Sequence, residues 1–150
     1  MIVPMSALSP RPAAPSTDAH GRRIEYLRLS VTDRCDLRCR YCMAEHMQFL
    51  PKAAVLSIEE MGELAERFVA RGIRRIRLTG GEPLVRRGIE MLAARLGALV
   101  GNGLDELTLT TNAMRLAEHA PMLAAAGVRR INVSLDTLDR EAFRHITRFG

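Results

Sequence analysis

The most informative stretch of this sequence is Cys35-Asp36-Leu37-Arg38-Cys39-Arg40-Tyr41-Cys42, which follows a strand-like run at 26–31. The chain has 3 cysteines, and all of them lie in this stretch. An odd number of clustered cysteines without a secretion signal favours a metal or redox site over disulfide bonds. Three thiolates can hold three corners of a 4Fe–4S cluster, whereas a ferredoxin supplies four cysteines to each cluster. The remaining iron would then stay open to a small ligand, as a catalytic metal site requires.

Two other kinds of site fit the cysteines alone. His46 could complete a zinc site made of three cysteines and one histidine. A redox pair of thiols is less well supported, because C-x-x-C normally opens a helix in a thioredoxin-type unit. The residues around the neighbouring strands are needed to choose among these sites.

Strand and helix patterns alternate along the chain. We predict strands at 26–31, 74–78, 107–110 and 131–135. We predict a helix from the capping box of Ser57 and Glu60 to Gly72, one at 89–99, one with Pro121 in its first turn that ends at Gly127, and one at 140–147 capped by Asp139. This order implies parallel strands joined by right-handed crossovers.

Polar residues follow every predicted strand. The strand ends read Thr32-Asp33, Thr79-Gly80-Gly81-Glu82, Thr110-Thr111-Asn112 and Ser134-Leu135-Asp136. A parallel barrel places its active site at this end of the strands, although turns alone also use such residues. We therefore expect an α/β fold with a site at the carboxyl ends of its strands. Both a partial parallel barrel and a doubly wound sheet satisfy this pattern.

A second motif, Thr79-Gly80-Gly81-Glu82-Pro83, follows the second predicted strand. Paired glycines either let a ligand approach the backbone closely or make a tight turn from strand to helix. The combination of C-x-x-x-C-x-x-C after a first strand and Gly-Gly-Glu-Pro after a second resembles the radical S-adenosylmethionine superfamily.

This resemblance implies a specific cofactor chemistry. Cys35, Cys39 and Cys42 would bind a 4Fe–4S cluster whose open iron holds the amino and carboxylate groups of S-adenosylmethionine. Reduction of the cluster would cleave S-adenosylmethionine to methionine and a 5′-deoxyadenosyl radical. Tyr41 and the glycine pair Gly80–Gly81 would lie against the cofactor.

Within the superfamily, the sequence resembles the MoaA family of GTP 3′,8-cyclases, the enzymes of molybdenum cofactor synthesis. The similarity covers 21–150 and is carried by the runs at 21–22, 26–35, 41–43, 77–84, 109–112 and 132–137. Ala113 and Ala44 depart from the family, which usually has glycine and proline at these positions.

The closer resemblance implies the N-terminal βα units of a partial parallel α/β barrel. It implies a lyase that abstracts a ribose hydrogen from GTP and closes a ring onto the guanine, with an electron donor as a further partner. Arg28, Arg77 and Thr110 would contact GTP, and Ser134 would contact S-adenosylmethionine. Arginines and a hydroxyl group that converge on a triphosphate are chemically reasonable, while each is otherwise an ordinary inward-facing strand residue.

The same resemblance bears on domain organisation. MoaA proteins carry three more cysteines for a second 4Fe–4S cluster in their C-terminal half. We therefore expect 21–150 to be the N-terminal part of a barrel domain, and we expect this part alone not to complete GTP cyclisation. Residues 1–20 contain scattered prolines without periodic apolar positions, which predicts a mobile tail.

Composition limits the remaining classes of function. A content of 47% hydrophobic and 26% charged residues is ordinary for a globular protein. No apolar run reaches the ~20 residues that span a bilayer, so we expect a cytoplasmic protein without a membrane partner. The net charge of +5 comes almost entirely from arginine, which suits phosphate-bearing partners. An aromatic content of 4% speaks against nucleic-acid binding, which needs stacking side chains.

Two further functions stay open from the residues themselves. A peptide-modifying radical enzyme would share the cysteines and the glycine pair but would not need Arg28, Arg77 and Thr110 together. A non-catalytic zinc or iron–sulfur module would need the cysteines alone. A homodimer is compatible with each of these functions.

Overall fold

The computed structural model describes residues 16–149. Four strands and four helices alternate in it: β1 (Tyr26–Ser30), α1 (Ile58–Ala70), β2 (Arg75–Thr79), α2 (Ile89–Gly97), β3 (Glu106–Thr111), α3 (Leu116–Ala125), β4 (Arg130–Val133) and α4 (Arg140–Thr147). Short 3-10 turns lie at Lys52–Ala54 and Pro83–Val85. Of the predicted tail, 1–15 lies outside the described residues, and Thr17 forms an isolated antiparallel bridge with Arg23.

All four strands are parallel and lie in the order β1-β2-β3-β4. Right-handed crossovers between neighbouring strands in this order place every connecting helix on the same face of the sheet. A doubly wound sheet instead reverses its strand order and carries helices on both faces. The prediction of βα units from a partial parallel barrel is therefore confirmed, and the doubly wound alternative is wrong.

Strand register gives the sheet one apolar face. Leu29 pairs with Leu78, Leu78 with Leu109, and Leu109 with Ile131, so a single apolar row crosses all four strands. Leu78 and Leu109 are fully buried and belong to the main core cluster with residues of α1 and α2. Burial of this row against the helices is the main source of the stability of the sheet.

The opposite face of the sheet is polar. Arg28 pairs with Arg77, Arg77 with Thr108, and Thr108 with Arg130 in the neighbouring row. Successive side chains of a strand point to opposite faces, so these residues point away from the helices. In a closing barrel this face becomes the interior.

Side-chain hydrogen bonds cap the N-termini of α1 and α4. Ser57 accepts a hydrogen bond from the Glu60 N–H at 3.1 Å, and the Glu60 carboxylate accepts one from the Ser57 N–H at 2.7 Å, which is the predicted capping box. Asp139 caps α4 by accepting from the Ala142 N–H at 2.7 Å. No helix in the described part of the chain is long and apolar enough to cross a membrane.

The predicted start of α3 is wrong. Pro121 lies inside the helix, which begins at Leu116 rather than near the proline. A proline inside a helix removes one backbone hydrogen bond. Leu116 packs against the core and Leu123 is 1% exposed, so apolar burial on both sides of Pro121 offsets that loss.

We predict that Leu109→Ala destabilises the protein by about 2–5 kcal/mol, because it leaves a cavity in the apolar row. The matched control is Leu138→Ala, since Leu138 is 93% exposed and its truncation should change stability by no more than about 0.5 kcal/mol. Urea unfolding measures both. Equal losses in the two variants would contradict the assignment of the core face.

Candidate functional site

A cavity of about 240 Å³ opens at the carboxyl ends of the strands. Most of the predicted site residues line it together: Cys35, Cys39, Tyr41, Cys42, Gly80, Gly81, Thr110 and Ser134. Arg28 and Arg77 lie elsewhere, one row below on the polar face. The structure therefore gathers the predicted cluster and cofactor residues in one place.

The cysteine loop is fixed by bonds to its own backbone and to α4. The Arg38 guanidinium donates to the carbonyl oxygens of Cys35 and Leu37 at 2.7 and 2.8 Å, so the loop turns around this side chain. The loop N–H groups of Arg38 and Arg40 donate to the Thr147 and Ile146 carbonyls, both at 2.9 Å. These donors satisfy carbonyl groups that the end of a helix leaves without partners.

An apolar anchor and an aromatic contact complete the support of the loop. Leu37 is 3% exposed and lines the same cavity as the cysteines. The guanidinium groups of Arg34 and Arg38 lie 5.2 and 5.4 Å from the centre of the Phe49 ring, within the range of cation–π attraction.

The three cysteines are free thiols in the part of the chain that the structure describes. Burial raises the pKa of the Cys35 and Cys39 thiols, with smaller contributions from neighbouring negative groups. Thiols with raised pKa values must lose their protons on binding iron, as all metal-ligating cysteines do.

The described residues contain no preformed site for a single zinc ion. Among residues 16–149, no three His, Cys, Asp or Glu side chains come close enough together to hold a single metal ion. All ligands of a zinc ion lie within about 2.3 Å of the metal, so its thiolates crowd together. Cys35, Cys39 and Cys42 line one cavity, and three thiolates in one loop can hold three corners of a 4Fe–4S cube.

The glycine pair is required by the backbone of the preceding loop. Gly80 adopts a φ of +147°, and a Cβ atom at this position would lie 2.5 Å from the Thr32 carbonyl oxygen. A Cβ atom on Gly81 would overlap the carbonyl group of Arg34. The Gly81 and Glu82 N–H groups donate to the Thr32 and Arg34 carbonyls, both at 2.8 Å. The turn after β2 thus lies directly against the segment that leads into Cys35.

Glu82 is a buried carboxylate at the centre of this edge, with 1% exposure. Its oxygens accept from the Leu84 N–H at 3.0 Å, from the Thr111 hydroxyl at 2.7 Å and from the Asn112 N–H at 2.7 Å. These bonds join the turn after β2 to the end of β3. A buried carboxyl group is costly unless donors fill its lone pairs in this way.

Tyr41 is 71% exposed, and its hydroxyl donates to Asp136 Oδ2 at 2.8 Å. This hydrogen bond, together with burial and the negative charge of Asp136, raises the pKa of Tyr41 to about 12. The contact fixes the phenol of the cysteine loop to the segment after β4, where Ser134 also lines the cavity.

The residues proposed for a nucleotide share the polar face. Arg28 and Arg77 are register partners, and Thr110 lies on the same face one row closer to the cavity. Arg77 lies 5.6 Å from the Tyr26 ring, and its Nε donates to the Thr108 hydroxyl at 3.4 Å. In the described part of the chain, no carboxylate pairs with Arg28 or Arg77.

Several cavity residues received no site role from the sequence, and three of them make side-chain hydrogen bonds across the site: Glu82, Asn112 and Asp136. All three belong to the polar strand ends that predicted a site. The signal was therefore present in the position of these residues directly after strands. Their individual roles depend on contacts between distant segments, which spacing does not show.

A three-cysteine loop at the carboxyl edge of a parallel α/β half-barrel defines a class of iron–sulfur protein. The chain belongs to the Radical SAM superfamily, whose family profile matches residues 29–150. Members of this superfamily combine a 4Fe–4S cluster with S-adenosylmethionine, and at this level the cofactor prediction is confirmed.

Similar curated proteins point to one group of enzymes within this superfamily. The chain is 62% identical over 138 residues to a GTP 3′,8-cyclase of Rhizobium etli (strain CIAT 652), covering 92% of this chain and 40% of the relative. It is 65% identical over 131 residues to a GTP 3′,8-cyclase of Erythrobacter litoralis (strain HTCC2594), covering 87% of this chain and 40% of the relative. The chain therefore spans about 40% of the length of these relatives. The predicted resemblance to GTP 3′,8-cyclases is confirmed.

A solved structure supports the fold. SuiB of Streptococcus suis, determined with bound S-adenosylmethionine, matches with a TM-score of 0.66 at 21% identity, over 83% of this chain and 28% of SuiB. At this identity the likeness concerns the arrangement of the strands and helices.

Ala113 occupies a strained backbone position beside the cavity. Its φ of 67° lies in the left-handed region, which costs a residue with a Cβ atom about 1–2 kcal/mol. The Ala113 N–H is held by the Thr111 hydroxyl at 3.0 Å, so the turn imposes this conformation. The departure from the expected glycine is therefore a local strain at the end of β3.

We predict that Ala113→Gly stabilises the protein by up to about 1 kcal/mol, because relief of the left-handed strain exceeds the entropy lost on ordering glycine. The matched control is Ala124→Gly in α3, where the same change in an exposed helix position should destabilise by about 1 kcal/mol. Thermal unfolding of both variants measures the difference. A loss of stability in Ala113→Gly equal to that of the control would show that the turn is unstrained.

Proposed function

We propose that the chain is the cluster-binding and cofactor-binding part of a GTP 3′,8-cyclase that acts in the cytoplasm in molybdenum cofactor synthesis. The observation that carries this proposal is the shared cavity, in which the three cysteines, the glycine pair, Thr110 and Ser134 meet at one sheet edge. The identity of 62–65% to relatives with that name supports the choice of reaction. Such a reaction is a lyase reaction, because a new ring forms without hydrolysis or net oxidation of the nucleotide.

Cys35, Cys39 and Cys42 would hold the 4Fe–4S cluster in this proposal. Tyr41, Gly80, Gly81 and Ser134 would surround S-adenosylmethionine, since all four line the same cavity as the cysteines. When bound, the cluster and S-adenosylmethionine supply the radical that abstracts a ribose hydrogen from GTP. An external electron donor must supply two electrons, one to cleave S-adenosylmethionine and one that, with a proton, quenches the nucleotide radical after ring closure. A second cluster would lie in the part of the relatives that this chain does not span.

Arg28, Arg77 and Thr110 would bind GTP on the polar face. Two guanidinium groups without carboxylate partners in the described part of the chain are available for phosphate oxygens, which they bind with paired hydrogen bonds. Thr110 lines the cavity and lies between the arginine row and the cysteines. A nucleotide with its phosphates at the arginines would thus extend its ribose towards the radical site, where correct placement controls the rate.

A peptide-modifying radical enzyme is the second candidate. Its support is the likeness of the fold to SuiB, which has also been solved with the precursor peptide SuiA bound; at 20% identity this likeness is much weaker than the identity to the cyclases. It would also leave the paired arginines without a role.

We predict that Cys35→Ala, Cys39→Ala and Cys42→Ala each abolish one oxygen-sensitive cluster in the full-length protein. Two thiolates and a vacant corner do not retain a 4Fe–4S cube, so each variant should lose about four iron and four sulfide ions per chain. Iron and sulfide analysis after anaerobic reconstitution measures the loss.

His46→Ala is the matched control for the cluster prediction. It should retain the full iron and sulfide content, because a 4Fe–4S site needs no histidine here. One equivalent of zinc in the wild type, lost in His46→Ala, would replace the cluster proposal by the zinc module.

We predict that Arg28→Ala and Arg77→Ala each weaken GTP binding at least about tenfold, because a charge-assisted contact is worth about 1.5–3 kcal/mol. Cleavage of S-adenosylmethionine should change much less, since neither arginine lines the cavity. Equilibrium dialysis with GTP and assay of methionine release measure the two effects in the full-length protein.

Arg67→Ala is the control for charge alone, since Arg67 lies on the exposed side of α1. Its GTP affinity should equal that of the wild type. Unchanged affinity in both arginine variants of the polar face would favour the peptide-modifying enzyme.

A further inference from the structure

Two hydrogen bonds hold Asn112 in place, one made by its backbone and one by its side-chain amide. Its backbone N–H donates to Glu82 Oε2 at 2.7 Å, which holds the residue at the end of β3. Its side-chain oxygen accepts from the Met114 N–H at 3.0 Å. Since the oxygen is used on this side, the amide NH₂ group points the other way, towards the cysteine loop.

The NH₂ group contacts two atoms of that loop. Its nitrogen lies 2.7 Å from Asp36 Oδ1 and 3.8 Å from Cys35 Sγ. An amide nitrogen carries two hydrogens, so one can serve the carboxylate and the other the sulfur. The Leu37 N–H approaches the same sulfur at 3.4 Å. Cys35 thus has two N–H groups directed at its sulfur.

The charged groups near Cys35 determine how strongly these two donors affect a cluster bound to its sulfur. The Asp36 carboxylate lies 3.8 Å from Cys35 Sγ and places a negative charge beside the thiolate. Asn112 partly screens that charge by donating a hydrogen bond to the carboxylate, and the Arg115 Nε atom lies 3.9 Å from the other carboxylate oxygen. The potential of an iron–sulfur cluster depends on net charge and on hydrogen bonds to its sulfurs. Donors at the sulfur favour the reduced, more negative state, and a nearby carboxylate opposes it.

We propose that Asn112 is a positioning residue that raises the reduction potential of the cluster bound through Cys35. It does so by donating one N–H towards the Cys35 sulfur and the other to the Asp36 carboxylate. The inference rests on the proposed role of Cys35 as a cluster ligand. It gives the end of β3 an electronic role in addition to its part in the fold.

The test compares midpoint potentials in the full-length protein without S-adenosylmethionine. The paramagnetic signal that disappears in Cys35→Ala identifies the cluster, and a redox titration of that signal gives its potential. Asn112→Leu keeps the approximate shape and removes the donor. We expect about a tenfold loss in the equilibrium constant for one-electron reduction, which equals a potential about 59 mV lower.

Two further variants separate electronics from folding. Asn112→Asp keeps the oxygen that accepts from Met114 but replaces the NH₂ group by a carboxylate, so its potential should fall at least as far as that of Asn112→Leu. Asp36→Asn removes the negative charge and should shift the potential upwards. Asn102→Leu is the matched control, because its NH₂ group donates to the Ala98 carbonyl at 3.2 Å, away from the cavity.

The outcomes distinguish this inference from the proposed function. A cluster present at full content with the wild-type potential in both Asn112 variants would overturn the inference and leave the cluster assignment intact. Reduced cluster content or stability without a shift in potential would show that Asn112 has a structural role only, and would also overturn it. A wild-type protein that binds no cluster through Cys35 would overturn the assignment and the inference together.

Discussion

The buried carboxylate of Glu82 is the interaction on which the carboxyl edge of the sheet depends. It accepts hydrogen bonds from its own turn and from the end of β3. It therefore joins this turn to Thr111 and Asn112, which lie 29 and 30 residues further along the chain. The same turn lies against 32–34 through Gly80 and Gly81, where any side chain would collide with the backbone. Because that backbone leads into Cys35, one buried carboxylate and two missing side chains together determine where the cysteine loop begins.

The division of the sheet into two faces follows from the same parallel register. One row of each strand packs against the helices, and the next row presents arginine, serine and threonine to the other side. The apolar row supplies the burial that stabilises the domain. The polar row is then free for binding, and its upper end opens into the cavity that the cysteines line. Stability and chemistry therefore occupy opposite faces of one sheet, joined at the strand ends.

Features that depend on near neighbours could be predicted from the sequence. The capping box of Ser57 and Glu60, the Asp139 cap and the polar strand ends are all encoded within a few residues. Features that depend on contacts between distant segments could not be predicted from the sequence. The contact between Asn112 and Cys35 joins residues 77 positions apart, and strand order decides between a half-barrel and a doubly wound sheet.

The start of α3 differs from the prediction because the burial of Leu116 and Leu123 outweighs the local effect of the proline. At Ala113, the departure from the family pattern marks an unusual position, but the sequence does not show that the backbone there is strained.

Electron–nuclear double resonance tests most directly whether this edge holds the cluster and S-adenosylmethionine side by side. The reduced full-length protein would be mixed with S-adenosylmethionine labelled with ¹³C at its carboxyl group. Coupling between the cluster spin and the label is expected, because in the proposed site three cysteines would leave one iron open in the cavity that Gly80 and Gly81 also line. A reduced cluster with bound S-adenosylmethionine but no coupling to the label would show that the cofactor binds elsewhere, and it would contradict the central assignment of the site.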